Sequence, residues 1–527
     1  MPCAKCEKKL AAQGKNSLAA TDVWRSAGPG GDRNQRKIGE NKLLSAKSRY
    51  SPYAPAASSS KAGAAAAAGS KPTGKAGSSA TGTTIGRCET CGSTVARAGA
   101  KFCQSCAYKT GKCSICGKQI LDTSQYKMSM KVNVAQKDID ELRMMIKSSR
   151  VAPQVFENSR EDRKFGLTYE WTTNALKHWA DHFDWRAQEA LINEFPQYTT
   201  IVKDRSGADF KVHFMALFSR KADAVPIVFS HGWPGSYTEF LGVFKLLRDK
   251  YTEEDLPFNV VAPSLPGFVW SQRPPLDREW DPVDTPHVLN ELMTGLGFEA
   301  YVAQGGDIGA TMARRLAVQF PACKGAPFLH KPGLYSLRAI TAAHLNFAVL
   351  LNHQIPKDLS GFDDATRRRL ERTNEFFTVG VAYAREQGTK PGTLGFVLSS
   401  NPVSLFAWIA EKCLAWSDED LSLDEICRFV SLYWFSDCIA SSWPTYRQNT
   451  LADTPDFYIK KPMGFSCFPW ELVGYPKEWI ADTGNLVFYR EHTSGGHFAA
   501  EERPEVLLED VSDFVSQVWQ NAKDAKL

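Results

Sequence analysis

A chain of 527 residues exceeds what one ordinary hydrophobic core organises, so at least two domains are expected. Its 63 Lys and Arg against 58 Asp and Glu give a net charge of +5 that hides a division. Residues 1–130 hold 21 basic and 6 acidic residues, whereas the remainder is acidic in balance. No run of about 18 apolar residues occurs, and Met1-Pro-Cys-Ala-Lys-Cys6 lacks the apolar stretch of a signal peptide. A secreted or membrane-spanning chain is set aside; a cytoplasmic location is expected, with the nucleus a second address through the N-terminal module.

Cysteine usage divides the same way. Eight of the 13 cysteines lie before residue 117 as four Cys-x-x-Cys pairs: Cys3/Cys6, Cys88/Cys91, Cys103/Cys106 and Cys113/Cys116. No His precedes His178, so a tetrahedral site here is all-cysteine, and eight thiolates would fill two four-coordinate zinc sites. Closed sites of this kind leave no open coordination position. The zinc is therefore read as structural, replacing a core too small to form otherwise. Bound thiolates would offset much of the basic charge, which weakens a nucleic-acid reading. Residues 54–84 are Ala, Ser, Gly, Lys and Pro with few larger side chains, and read as a flexible, low-complexity insert. The remaining Cys323, Cys413, Cys427, Cys438 and Cys467 sit in apolar surroundings and read as buried thiols of a reducing compartment.

Particular runs in this segment carry a resemblance: Cys3-Ala-Lys-Cys-Glu-Lys-Lys-Leu10, Asn41-Lys-Leu-Leu44, Tyr50-Ser-Pro-Tyr53 and Phe102-Cys-Gln-Ser-Cys-Ala-Tyr-Lys109. Gly111-Lys-Cys-Ser-Ile-Cys-Gly-Lys118 and Leu121-Asp-Thr-Ser-Gln-Tyr-Lys127 extend it. Together they resemble the cysteine-rich PDZ-binding protein (CRIPT) family across residues 1–127. The resemblance implies a zinc-binding module with a protein partner. Family chains end just after the last motif, and in animals that free C-terminus is the PDZ ligand. This chain runs on through Lys131, so the PDZ-ligand role does not transfer.

The rest of the chain starts with helical spacing over 138–148. A longer aromatic-rich amphipathic segment follows from Tyr169 to Phe195. His178 and His182 stand one turn apart there, a two-residue metal pattern without a nearby third ligand. Residues 201–217 read as a hairpin. Apolar strands at Val225–Phe229 and Phe258–Ala262 lead into His231-Gly-Trp-Pro-Gly-Ser236 and Pro263-Ser-Leu-Pro-Gly-Phe268. A third strand, Glu299–Ala303, runs into Gly305-Gly-Asp-Ile-Gly309 and then a helix from Ala310 to Phe320. Strands alternating with helices indicate a parallel sheet with ligand loops at the strand C-termini. After Pro332 the alternation is expected to stop in favour of a helical cap, over about 333–440. Strands return at Met463–Phe468 and Asn485–Tyr489, and Pro504–Val518 closes the chain as an amphipathic helix.

The Gly-rich turn has the form of a nucleophile elbow, an α/β-hydrolase device that lifts one side chain above the sheet. The lifted residue is Asp307 rather than Ser. A carboxylate is already ionised at neutral pH and attacks a saturated carbon without first losing a proton, giving an alkyl ester. Hydrolysing that ester calls for an activated water. An elbow implies an acid and then a histidine downstream, and Glu471 and His497 follow the last two strands in that order; His492 is the nearest competitor. Backbone N–H groups of Trp233 and Ile308 occupy the places that supply an oxyanion hole. An epoxide leaving as an alkoxide needs an acid, and the cap offers Tyr383 and Tyr446 among its phenols.

A further set of motifs resembles the microsomal-type epoxide hydrolases, above all their soluble fungal branch, over residues 132–527. It comprises Tyr169-Glu-Trp171, Trp179-Ala-Asp-His-Phe-Asp-Trp-Arg186, Asn193-Glu-Phe-Pro-Gln-Tyr198, Thr389-Lys-Pro-Gly-Thr393, Ala407-Trp-Ile-Ala-Glu-Lys412 and Phe468-Pro-Trp-Glu-Leu472, with the loops at 231–236, 305–309 and 495–500. The resemblance implies Asp307 as nucleophile, Glu471 and His497 as the water-activating pair, and Tyr383 and Tyr446 as the groups that polarise and protonate the epoxide oxygen. Ile308 stands where many members carry an aromatic residue.

The expected protein is an α/β-hydrolase with a helical cap at 131–527, behind a cysteine-rich zinc-binding domain at 1–130. It converts an epoxide and water to a vicinal diol with no catalytic cofactor. A haloalkane dehalogenase-like enzyme is the alternative, and a zinc-stabilised, spliceosome-linked interaction protein with an incidental hydrolase domain is another. Expected partners are a small-molecule epoxide and a protein for the N-terminal module, without membrane or nucleic acid; the oligomeric state is left open, a homodimer included.

Overall fold

The computed structural model describes residues 87–90, 92, 100–102, 116, 126–128, 130–298, 300–320, 342–350, 353–447 and 458–524. The chain divides into two compact units, Met1–Ile120 and Leu121–Leu527.

In the first unit, Gly92 N–H donates to the Cys88 carbonyl at 2.9 Å, and Gly92 takes a positive φ of 70°. A turn therefore closes on Cys88. Cys88 is buried against Ala100 and Phe102, and Glu89 N–H donates to Lys101 O at 2.8 Å. Of the eight candidate zinc ligands only Cys88 and Cys116 are described. Cys3, Cys6, Cys91, Cys103, Cys106 and Cys113 lie outside the described residues, as do Cys323 and the 54–84 insert.

The second unit is built on one sheet of nine strands: β1 (Tyr126–Met128), β2 (Gln197–Lys203), β3 (Asp209–Leu217), β4 (Val225–Ser230), β5 (Phe258–Pro263), β6 (Val302–Gly305), β7 (Ala342–Leu345), β8 (Ile459–Cys467) and β9 (Gly484–Glu491). Their order is β1-β2-β3-β5-β4-β6-β7-β8-β9. The first three strands and the β3–β5 pair are antiparallel; every pairing from β5 through β9 is parallel. Strands β4 and β5 are buried along their whole length, which explains why they read as continuous apolar runs rather than alternating ones.

Helices α1 (Gln136–Ser148), α2 (Tyr169–Asp181) and α3 (Trp185–Ile192) precede β2. The single amphipathic segment expected over 169–195 is in fact two helices, because Asp184 leaves the helix and caps α3 by accepting from Arg186 N–H. His178 Nε2 lies 2.7 Å from Asp424 Oδ1, and among the described residues no third ligand gathers with His178 and His182. Helices α4 (Leu241–Lys250), α5 (Asp284–Gly295) and α6 (Asp307–Gln319) alternate with β4, β5 and β6.

The expectation that alternation ends at Pro332 is corrected by β7, which pairs in parallel with both β6 and β8. Its sequence, Ala-Ala-His-Leu, is only four residues long and fully buried, too short to set up a period. The cap follows β7: α7 (Asp364–Glu375), α8 (Ala382–Thr389), α9 (Pro391–Ser399), α10 (Pro402–Trp416), α11 (Leu423–Ser436) and α12 (Pro444–Arg447). After the cap come α13 (Lys477–Ala481), α14 (Ala499–Glu502) and α15 (Pro504–Asp524). Cys413, Cys427, Cys438 and Cys467 are buried, as their apolar settings indicated.

Two glycines bring β4, β6 and α6 together. A Cβ on Gly309 would stand 1.9 Å from the Ser230 carbonyl oxygen, and one on Gly305 would stand 2.2 Å from the Gly309 backbone. Both obstructions are main chain and cannot rotate away. Gly309→Ala is therefore expected to destabilise by at least the ~1–3 kcal/mol of an overpacked core, read as a lowered midpoint of thermal or denaturant unfolding. Gly361→Ala, at a position with no heavy atom within 4 Å, should leave it unchanged.

Candidate active site

Asp307 opens α6 directly after β6, with φ of +49°, and Gly306 before it stays at −111°. The elbow's unusual backbone is thus borne by Asp307 itself, while Gly305 and Gly309 supply the space around it. A Cβ on Gly232 would meet the Asp307 side chain at 2.4 Å, so the His231-Gly-Trp-Pro loop must be bare at that point.

That loop approaches because His231 braces it. Leu265 N–H donates to His231 Nε2 at 3.1 Å, which leaves the ring's proton on Nδ1, donated to the Gly232 carbonyl at 2.9 Å. Burial lowers His231 to about 4, keeping the ring neutral as this pattern requires. Trp233 N–H consequently points at Asp307 and donates to Oδ1 at 2.9 Å. The Ile308 N–H lies in the first turn of α6, where amides have no intrahelical acceptor. One carboxylate oxygen is held by backbone, and the other, Oδ2, lies 3.4 Å from His497 Nε2.

His497 follows β9, and Glu471 follows β8. His497 Nδ1 and Glu471 Oε1 are 2.6 Å apart, and Leu472 N–H donates to the same oxygen at 2.6 Å. Trp416, at the end of α10, accepts the His497 backbone N–H at 3.0 Å and packs its ring edge-on against the imidazole at 5.0 Å. Burial works against a charged ring, but Glu471 and Asp307 on its two nitrogens outweigh it and lift His497 to about 10. His492 is placed elsewhere: its Nε2 lies 2.6 Å from Asp510 Oδ2.

Tyr383 and Tyr446 come from α8 and α12. These helices touch closely, since a Cβ on Gly388 would lie 2.8 Å from the Tyr446 carbonyl. The two hydroxyls are 3.5 Å apart. Trp233 stacks on the Tyr383 ring at 5.3 Å and meets the Tyr446 ring edge-on at 5.9 Å. Burial, with the Asp307 charge among the other contributions, pushes both phenols well above their ordinary range, so both keep their protons at neutral pH. All five side chains named from sequence come together in one buried site with the Trp233 amide, and Ile308 follows Asp307 at the start of α6.

Five further residues join them. Glu239 lines a polar cleft beside Asp307 and His497, together with Ser230, Gln304 and Asn346. Burial, then the nearby Glu501, pushes its carboxyl well up. The cleft admits water-sized spheres over about 20 Å³, room for one or two waters. The side-chain oxygens of Ser230 and Gln304 are buried without a protein partner. Arg372, on α7, donates from Nε to the Glu471 carbonyl at 3.1 Å and from Nη2 to the Ala415 carbonyl at 3.0 Å, tying the acid's loop to the cap. Glu239 was signalled by a lone charge after the conspicuous His-Gly-Trp-Pro-Gly-Ser loop. Arg372 gave no signal, being one of several arginines between 367 and 372.

The fold and this constellation define an α/β-hydrolase whose elbow carries a carboxylate against Trp233, the ring on which two cap phenols pack. Family models agree: one described as epoxide hydrolase N terminus matches residues 128–240, and one described as alpha/beta hydrolase fold matches 225–327. A putative epoxide hydrolase from Dothistroma septosporum is 40% identical over 389 residues, covering 73% of this chain and 88% of that one. The solved epoxide hydrolase of Aspergillus niger superposes with a TM-score of 0.68 at 42% identity, over 75% of this chain and 98% of that one. Epoxide hydrolase 1 of Sus scrofa is 29% identical over 429 residues, covering 74% and 88% of the two chains. The chain belongs to the epoxide hydrolases. A further model, described as microtubule-associated protein CRIPT, matches residues 16–130, a span that includes Cys88 to Cys116 but not Cys3 and Cys6.

Because His497 is raised above its ordinary 6.5, the stability it lends is complete below about 6.5 and is lost as pH climbs toward about 10. Thermal melts across that window should fall more steeply for the wild-type protein than for Asp307→Asn, which removes one of the two stabilising charges. NMR of the His497 ring at pH 8 should show imidazolium in the wild type.

Proposed function

We propose that Asp307, Glu471, His497, Tyr383 and Tyr446 carry out the conversion of an epoxide and water to a vicinal diol. The observation that carries this reading is the placement of one carboxylate oxygen on the Trp233 amide while the other faces the histidine. Oδ2 attacks an epoxide carbon, and a phenol passes its proton to the ring oxygen as the C–O bond breaks. Oδ1, on the Trp233 amide, becomes the ester carbonyl, so the donors that hold it already face the later oxyanion.

Esterification removes the negative charge beside His497 Nε2. Loss of a group that raised the imidazole lowers it, so His497 gives up its proton, which restores the tyrosine. A neutral base is thereby produced only once there is an ester to hydrolyse. Water drawn from the cleft lined by Glu239, Ser230 and Gln304 is deprotonated by His497, Glu471 steadies the imidazolium, and attack at the ester carbonyl releases the diol. Two phenols suit an alkoxide leaving group, whereas a halide leaves as a stable anion needing no proton, which favours the epoxide over the haloalkane reading.

We assign residues 1–130 to a separate CRIPT-like module holding structural zinc through Cys3, Cys6, Cys88, Cys91, Cys103, Cys106, Cys113 and Cys116. Support comes from the family match over 16–130 and from the Gly92 turn closed on Cys88. Bound zinc would supply cross-linking of the segment and no step of the reaction.

Asp307→Asn should abolish diol formation and show no substrate adduct by intact mass. His497→Gln should instead accumulate the adduct, with hydrolysis slowed by about 10²-fold or more. If the asparagine variant keeps full turnover, the covalent route is wrong. Metal analysis of the whole chain should give two zinc ions, and chelation should remove them while epoxide turnover persists.

A further inference from the structure

Helix α10 is apolar along most of its length, yet its Lys412 is buried, with a side chain only 8% exposed. Placing an ammonium there is costly unless it is paired or put to use. Its pairing partner, Glu411, is the neighbouring residue, a third exposed to solvent. The ammonium otherwise lies over two rings: Trp408 at 4.4 Å and Tyr383 at 5.3 Å from their centroids. Those rings are held around it by one strut. Trp408 Nε1–H donates to Gln387 Oε1 at 3.0 Å, and Gln387, fully buried, stands one turn after Tyr383 on α8. Among the described residues, Lys412 is the only cation lying over the Tyr383 ring.

We propose that Lys412 is a positioning residue for epoxide opening, acting through Tyr383 by stabilising the negative charge that its ring acquires when its proton leaves. The inference rests on the reading of Tyr383 as a proton donor. In that step the Asp307 Oδ2–carbon bond forms, the epoxide C–O bond breaks, and the phenolic proton moves to the departing oxygen. The charge left on the phenolate spreads into the ring under the ammonium. A cation over a neutral ring gains a modest amount, and an anionic ring beneath it gains more, so the interaction strengthens as the reaction proceeds. Besides burial, the strongest influences on this phenol are Asp307, Glu411 and Glu471, which oppose ionisation, and the Tyr446 hydroxyl, which eases it. Glu411 also pairs with Lys412, so it limits the effect without cancelling it, being the more exposed of the two.

The two half-reactions separate this role from a packing role. In stopped-flow single turnovers, followed by quenching of tryptophan fluorescence as the ester forms, Lys412→Met should slow alkylation by about tenfold. Hydrolysis of the ester should be unchanged. The loss should grow for epoxides whose alkoxide is more basic, and should vanish in a Tyr383→Phe background. Lys412→Gln, which keeps a polar group beside Glu411, should behave in the same way and serves if the methionine variant does not fold. Equal losses in both half-reactions, or unchanged alkylation, would overturn the proposal. If Tyr383→Phe alone leaves alkylation intact, the reading of Tyr383 fails. If it slows alkylation and Lys412→Met does not, only the role of Lys412 fails.

Discussion

One imidazole between two carboxylates is the interaction on which the site depends. Glu471 lies 2.6 Å from one His497 nitrogen and Asp307 lies 3.4 Å from the other. A buried charge without a partner is strongly disfavoured, and here a single cation answers two anions in a water-poor site. The arrangement requires β6, β8 and β9 to end at the same level, which their parallel pairing through β7 provides. It also requires Asp307 to accept a positive φ, so that its carboxylate leaves the helix axis and turns toward both His497 and the Trp233 amide. Strain of that kind, on the order of 1–3 kcal/mol, persists only where the surroundings over-determine it. The glycine contacts at 232, 305 and 309 are that over-determination.

Core and cap contribute different chemistry. The sheet supplies the carboxylate, its backbone donors and the imidazole; the cap supplies both phenols, the Trp416 carbonyl that fixes the His497 main chain, and the Arg372 clamp on Glu471. Neither part alone makes a complete site. The aromatic contacts of Trp233 with Tyr383 and Tyr446 join them through apolar surface. Burial in those apolar walls raises the phenols, whereas the imidazole is raised against its burial by the two carboxylates on its nitrogens.

Much of this was legible before any coordinates. Fully buried strands such as β4 and β5 wrote themselves as apolar runs, and the loops that follow them carried Gly and Pro in patterns with mechanical meaning. Asp307, Glu471 and His497 were readable because each stands just past a strand, where a parallel sheet delivers its working residues. The strand β7 was not, since four small residues establish no period. Lys412 had a signal, a charge within an apolar helical run, although its partner rings lie on its own helix and on another. Arg372 and the orphaned oxygens of Ser230 and Gln304 had none, because their meaning lies in contacts between residues far apart in sequence.

The proposed cycle also closes in protons, which places a constraint on the resting state. Suppose the cycle starts with imidazolium, carboxylate and phenol. Ring opening moves the phenolic proton to the new alcohol, and the imidazolium proton then restores the phenol. Water next gives one proton to His497 and its second to the departing alkoxide, and the carboxylate reappears beside an imidazolium. The starting state returns with no proton exchanged with solvent. Had His497 been neutral at rest, the phenolate formed on opening would need a proton from outside a buried pocket. In this proposed cycle the raised His497, held charged by Glu471 and Asp307, stores the proton that ring opening consumes. The ester then removes the charge that held it.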